Sequence, residues 1–282
     1  MIPQDFDYSA PATLAEALAL LADNPDARVL AGGMSLVPLM KLRLAAPDHV
    51  VDLAHVPGLN EIREEAGGIH IGAMATHYDV ESSALLRHKC PLLPEAAAHI
   101  GDVQVRNMGT VGGSIAHNDP AADYPAALFA LAARIVLAGV KGERTLDIAD
   151  FLVDTMTTAL EPGEIVKEIV VPVEQAGTGV SYQKLAQPAS GFAIVGAAVR
   201  MRKANGSPAF LRVGITGLAA KAFRAAKVEQ LYLGGAGARA AAAAAAEGAD
   251  ANSDLHASAE YRRHMAQVYT RRALEEALQR IS

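Results

Sequence analysis

Two glycine-rich stretches hold the residues best suited to chemistry: Ala31-Gly32-Gly33-Met34-Ser35-Leu36 and Thr110-Val111-Gly112-Gly113-Ser114. Glycine has no Cβ, so its main chain can take positive φ and approach a ligand closely. A row of exposed N–H groups of this kind forms a nest suited to phosphate or pyrophosphate. The second stretch continues through His117 and Pro120 to Asp123, and Pro125 then opens an Ala/Leu-rich helical run. His117 is placed either to contact a ligand or to hydrogen-bond within its own loop. Each stretch alone is also explained as a tight connection between a strand and a helix. The pair, with Pro120 and Asp123 at fixed offsets from the second, points to one ligand gripped from two sides.

Other chemistries find little support. Gly235-Ala236-Gly237-Ala238-Arg239-Ala240 fits a dinucleotide pattern with Asp254 downstream, but the preceding residues read as helix rather than strand, which favours a plain helix–Gly–helix joint. There is no Walker sequence, no HExxH and no paired CxxC, and the nine histidines show no metal-ligand spacing. Cys90 is the only cysteine, so this chain can build neither an intrachain disulfide nor a cysteine-ligated iron–sulfur cluster.

The elements that must position the glycine stretches follow from periodicity and caps. Residues 13–21 read as an amphipathic helix opened by a Thr13/Glu16 capping box. Strands are expected at 27–30 and 49–53, with a Pro38-interrupted helical pattern over 36–44, which together make a small α/β subdomain closing near residue 55. From Gly68 a strand, a helix capped by Thr76 and Asp79, and a helix over 91–101 lead to the second glycine stretch. Strands over 134–137 and 164–171 follow, and 175–179 is the expected domain boundary. Beyond it, strands at 180–185, 192–203 and 210–216, with an Asn205-Gly206 hairpin signal, precede helices at 225–233, 236–247 and 257–280. Tyr261, Arg262, Arg263, Met265, Arg271 and Arg272 in the last helix form either a solvated face beside a core stripe or a docking face for a partner.

At 282 residues, with formal net charge −6 and 51% hydrophobic residues, the composition is that of a globular protein with room for two modest domains. The negative charge argues against non-specific nucleic-acid binding. No apolar run reaches the roughly 20 residues of a membrane span. The first residues lack a basic segment followed by an apolar one, so a cytoplasmic location is expected.

The stretches AGGMSLVPLMKLRL (31–44) and GTVGGSIAHNDPAADYP (109–125) resemble the two flavin-binding loops of the FAD subunit of molybdenum hydroxylases. The likeness is greatest to the medium subunits of aerobic carbon monoxide dehydrogenases, within the broader xanthine dehydrogenase family. IPQDFDY (2–8), VDL (51–53), IGAMATH (71–77), EPGEIVKEIVVP (161–172) and AEYRRHMAQVYTRRAL (259–274) extend it along nearly the whole chain. Two positions depart from the family pattern: Ser114 stands where the family has Asn, and Ser190-Gly191-Phe192 where it has Gly-Asp-Tyr.

The resemblance implies an α+β protein: a two-subdomain FAD-binding fold of the vanillyl-alcohol-oxidase (PCMH) type over residues 1–175, with subdomains of about 1–55 and 56–175, plus a C-terminal domain of three antiparallel strands and helices over 176–282. It implies that Ala31, Gly32, Gly33, Met34 and Ser35, with Thr110, Val111, Gly112, Gly113 and Ser114, hold the FAD pyrophosphate, mainly through main-chain N–H groups, and that Leu36 is a further cofactor-binding residue. Asp123 would accept hydrogen bonds from ribose or ribityl hydroxyls, Phe192 would stack on the flavin ring, and Lys184 would lie near it; His117 is a further contact candidate. The implied partners are a large molybdopterin subunit and a small [2Fe–2S] subunit, as a dimer of heterotrimers. This chain would relay electrons to an external acceptor. A non-redox protein holding a phosphorylated ligand, and a self-sufficient flavin oxidase, remain the alternatives.

Overall fold

The computed structural model describes residues 2–204 and 206–281, so the Asn205 half of the hairpin signal lies outside the described residues. The chain begins with β1 (Asp7–Ser9), α1 (Leu14–Asp23), β2 (Arg28–Leu30), α2 (Leu36–Lys41) and β3 (His49–Asp52). These strands form a parallel sheet in the order β1-β3-β2, with α1 packed on it through Ala17, Leu18 and Leu21. Thr13 caps α1 by accepting from the Glu16 N–H, but the Glu16 carboxylate reaches back to the Ala12 N–H rather than to Thr13. The expected capping box is therefore only half formed. A full one is present at Thr76 and Asp79.

The middle section runs β4 (Ile62–Glu65), β5 (Gly68–Gly72), α3 (His77–Ser82), α4 (Ala84–Lys89), α5 (Leu92–Ala98), α6 (Val103–Met108), α7 (Val111–His117) and α8 (Tyr124–Leu131). It continues with β6 (Arg134–Gly139), β7 (Gly142–Asp147), α9 (Ile148–Phe151), β8 (Leu152–Asp154), β9 (Thr157–Thr158) and β10 (Ile165–Pro172). An antiparallel five-stranded sheet results, in the order β4-β5-β10-β6-β7. The charged edge strands β4 and β7 escape a search for apolar alternation, because Arg63, Glu64, Glu65, Glu143 and Arg144 are exposed or half-buried and form ion pairs, Arg63 with Glu65 and Arg144 with Glu164 among them. Every residue of α8 is buried, as a helix apolar all round must be.

The last section carries β11 (Thr178–Ala186), β12 (Ala193–Ala204), β13 (Ser207–Thr216) and β14 (Phe223–Arg224), followed by α10 (Ala226–Leu233), α11 (Ala238–Ala242) and α12 (Ala259–Gln279). Its antiparallel sheet has four strands, not three; β14 is a two-residue edge too short to show a pattern. One face packs on α8 and the other on the helices. The helix expected over 236–247 is helical only through Ala238–Ala242 and continues as turns. Gly234 ends α10 and Gly235 takes φ +97°, so the dinucleotide-like motif is a joint between helices. Arg262 belongs to no docking face. It is 4% exposed and binds the carbonyls of Ile194 and Gly217 and the carboxylate of Asp254, clamping α12 to the ends of β12 and β13.

Candidate functional site

A cleft of about 730 Å³ opens where the three sections meet, within the range of ligand pockets. Its walls include Ala31 to Leu36 from the β2–α2 loop, Thr110, Gly112, Gly113, Ser114 and His117 around α7, Asp123 before α8, and Phe192 before β12. Thirteen of the fifteen residues singled out from sequence thus share one cavity. The other two, Val111 and Lys184, are not on its wall.

The two glycine stretches are physically different. In the first, Gly33 takes φ +71°, which turns the chain after β2. Among the described residues, the N–H groups of Gly32, Gly33, Met34 and Ser35 meet no acceptor, and Ser35 makes no side-chain cap bond. That is the donor row an oxyanion needs. In the second stretch, Gly112 and Gly113 lie inside α7 and not in a positive-φ turn. Four of its five N–H groups are already spent: Val111 donates to the Ala75 carbonyl, Gly112 to the Ala73 carbonyl, Gly113 to the Thr110 hydroxyl oxygen and Ser114 to the Thr110 carbonyl, while among the described residues the Thr110 N–H meets no acceptor. The expectation that Thr110 to Ser114 act mainly through main-chain N–H groups therefore narrows to Thr110, because the capped, docked helix start commits the N–H groups of Val111, Gly112, Gly113 and Ser114. Val111 is 1% exposed and serves the core.

Absence of side chains explains how the stretches come together. A Cβ on Gly32 would lie 1.9 Å from the Met108 carbonyl oxygen, and one on Gly112 would lie 2.4 Å from the Ala73 Cβ. A Cβ on Gly113 would meet the Thr110 hydroxyl at 2.8 Å and Ala31 at 3.6 Å. The first loop therefore seats on the Met108–Gly109 backbone, with Gly113 turned towards Ala31. What the α7 side offers a ligand is space at Gly113, the Thr110 N–H and the hydroxyls of Thr110 and Ser114.

Asp123 is 4% exposed, yet both carboxylate oxygens are engaged: Tyr182 Oη donates to Oδ1, and Lys184 Nζ lies 2.9 Å from Oδ2. Burial raises the Asp123 pKa, while Lys184 and the Tyr182 hydroxyl pull it back. Lys184 is itself sealed, its ammonium divided between Asp123 and the His99 carbonyl at 2.8 Å. Its place is behind Asp123 rather than on the cavity surface, so the lysine expected near the flavin ring meets the cavity through Asp123. Phe192 is 46% exposed on the Gln187–Phe192 loop, where Gly191 packs its backbone against Gly101.

Three features of the site carry little signal in the sequence. Tyr182 has no motif beyond its place two residues before Lys184. His77 lies on the cleft wall, 5% exposed and tilted against Tyr124 with ring centroids 5.3 Å apart; burial, with Arg106 adding to it, lowers its pKa to about 4. The signal for it is the IGAMATH stretch, which His77 ends. Asn118, left-handed at φ 48°, donates to the carbonyls of Asp154 and Thr157 and holds the β8–β9 hairpin, so that Met156 reaches the cleft. Among the described residues no group of His, Cys, Asp and Glu is placed to hold a metal ion.

A cavity lined by both free main-chain donors and a buried carboxylate suits a dinucleotide with a pyrophosphate and ribityl or ribose hydroxyls. Residues 4–174 match the family described as the FAD binding domain in molybdopterin dehydrogenase, and residues 180–277 match the CO dehydrogenase flavoprotein C-terminal domain. The chain is 42% identical over 282 residues to the carbon monoxide dehydrogenase medium chain of Hydrogenophaga pseudoflava, covering 98% of each. It is 32% identical to caffeine dehydrogenase subunit beta of a Pseudomonas species, covering 100% of this chain and 97% of that one. A solved carbon monoxide dehydrogenase from Hydrogenophaga pseudoflava, lacking the Mo-pyranopterin moiety of its cofactor, superposes with TM-score 0.97 at 44% identity over 100% of both chains. The fold, the cleft and these likenesses agree: the chain belongs to the family of FAD-binding medium subunits of molybdenum hydroxylases.

Proposed function

We propose that this chain holds FAD in the cleft and serves as the electron-transfer subunit of a three-subunit molybdenum hydroxylase, assembled as a dimer of heterotrimers in the cytoplasm. A large subunit would carry the molybdopterin centre and a small one the [2Fe–2S] clusters. Bound FAD supplies the redox chemistry, taking up electrons delivered by the partners and releasing them to an external acceptor. The observation that carries this reading is the unspent N–H row of Gly32, Gly33, Met34 and Ser35, set in the same cavity as the buried Asp123 carboxylate.

The chain's own residues bind and orient. The first loop would receive the pyrophosphate, with Thr110 and Ser114 adding hydroxyl donors across the narrow gap at Gly113. Asp123 would accept from ribityl or ribose hydroxyls, and His117 would contact the ligand from the end of α7. Phe192 would cover one face of the flavin ring and exclude water from it. We place the division between the FAD-binding unit and the C-terminal unit at residues 175–176, with Asp123 from the first held by Tyr182 and Lys184 from the second.

Medium chains this similar serve a carbon monoxide enzyme and a caffeine enzyme, which fits a substrate pocket located on another polypeptide. The test is to co-purify the chain with its partners and supply reductant through them. Flavin bleaching by an oxidisable substrate only when the molybdenum and iron–sulfur subunits are present is the expected result. Bleaching of the isolated, FAD-reconstituted chain by substrate would instead establish a self-sufficient oxidase.

A further inference from the structure

Beyond the residues on the cleft wall lies a layer that decides the state of Asp123. Tyr182 is 1% exposed, and among the described residues its only side-chain hydrogen bond runs from the hydroxyl to Asp123 Oδ1. The ring sits edge-on to His99 with centroids 5.6 Å apart. Its main-chain N–H donates to Glu95 Oε1, and Glu95 in turn is tied to Arg280. The strand β11 is thus fixed to α5 at the point where Tyr182 and Lys184 reach Asp123 together, one donor to each carboxylate oxygen. Each oxygen keeps a further lone pair for a ligand hydroxyl.

We propose that Tyr182 is a positioning residue for the cofactor: its hydroxyl keeps Asp123 an oriented, ionised acceptor for FAD hydroxyls. The proposal rests on the reading of Asp123 as a cofactor contact. A protonated Asp123 would have to donate from one oxygen and could no longer accept at both. The groups facing it are Tyr182 and Lys184 from β11, His99 after α5 and Tyr124 from α8, with His77 of α3 packed on Tyr124. Burial already raises the Asp123 pKa, and the two donors oppose that rise. Removing the Tyr182 hydroxyl must raise it further. Binding that needs the carboxylate is present above that pKa and is lost as pH falls through it, so its acid limit moves to higher pH.

The test uses the complete complex with its partner subunits and follows FAD release by flavin fluorescence from neutral to acidic pH. Tyr182→Phe keeps the ring packing and removes only the hydroxyl. It is expected to weaken FAD binding about tenfold at neutral pH, the size of one lost bond to a charged group, and to raise the acid midpoint of release by about one pH unit. 3-Fluorotyrosine at position 182 keeps both ring and hydroxyl and donates more strongly, so it should lower the midpoint and provides the test even where the phenylalanine variant assembles poorly. In an Asp123→Asn background, Tyr182→Phe should cost no further affinity. An acid midpoint unmoved by both changes at Tyr182, or an equal loss from Tyr182→Phe with and without Asp123, would overturn the proposal and leave Tyr182 a packing residue. A parent complex that binds no FAD would overturn the FAD reading itself, and this proposal with it.

Discussion

Gly32→Ala adds a single methyl group at the seam between the two glycine stretches. That methyl would lie 1.9 Å from the Met108 carbonyl oxygen, 2.6 Å from the Met108 carbonyl carbon and 2.7 Å from the Gly109 Cα. Ordinary non-bonded separations are roughly 3.5 Å, so one backbone must retreat by about 1.5 Å. No side chain can rotate away, because every atom met is main chain. Overpacking of this kind costs about 1–3 kcal/mol of stability. The larger effect is expected on ligand: withdrawing even one N–H of the row from a charged phosphate removes about 1.5–3 kcal/mol, roughly ten- to a hundredfold in affinity. The comparison variant is Gly33→Ala, whose Cβ would meet only the Val37 and Leu30 side chains, at 3.1 and 3.2 Å, but at φ +71°. That left-handed residue costs about 1–2 kcal/mol while leaving the loop seated. The assay is flavin per chain after gel filtration, with thermal unfolding of the apoprotein measured alongside. Gly32→Ala should lose flavin far beyond its loss of stability. Stoichiometric flavin in Gly32→Ala, or an equal flavin loss in both variants, would refute the seating argument.

Phe192→Ala should weaken FAD retention by up to about tenfold, since aromatic stacking adds about 0.5–1.5 kcal/mol beyond burial, whereas Phe192→Tyr should be nearly silent; equilibrium flavin titration decides between them. Lys184→Met leaves the Asp123 carboxylate buried without its counter-charge and should cost about 3–5 kcal/mol in denaturant unfolding, much of it recovered in Lys184→Met/Asp123→Asn. His77, buried and neutral with a pKa near 4, gains its proton at about pH 6.5 once unfolded. Its contribution is complete above pH 6.5 and declines as pH falls towards 4, by up to about 3 kcal/mol. His77→Asn should flatten stability across that window in thermal melts, and an unchanged pH profile would show that His77 does not titrate between the two states.

Local physics makes much of the fold legible in the order of the residues. The helix starts at Thr13, Thr76 and Ser258 each have a side chain that accepts the N–H three residues on, and such caps are written in consecutive residues. The apolar runs of β6 and β10 are buried on nearly every residue and stand out for that reason. Edge strands β4, β7 and β14 do not, since a strand half in water need not alternate. Arg262 looks like surface because arginine almost always is; two carbonyls from distant strand ends, with the nearby Asp254 carboxylate, make its burial tolerable, and no local pattern announces the carbonyls.

The amino-acid sequence alone determined the family, the two glycine stretches and Asp123, because glycine's missing Cβ and a short carboxylate leave their mark wherever the main chain must meet a ligand. Tertiary structure alone decided which N–H groups remain free. Val111, Gly112 and Gly113 give theirs to Ala75, Ala73 and Thr110, while Gly32 to Ser35 keep theirs. It also decided that Lys184 stands behind Asp123 and that Tyr182 shares the task. Hydrogen-bonding capacity is a property of a residue, but its availability depends on partners far away in sequence, and those are set only when the three sections close on one another.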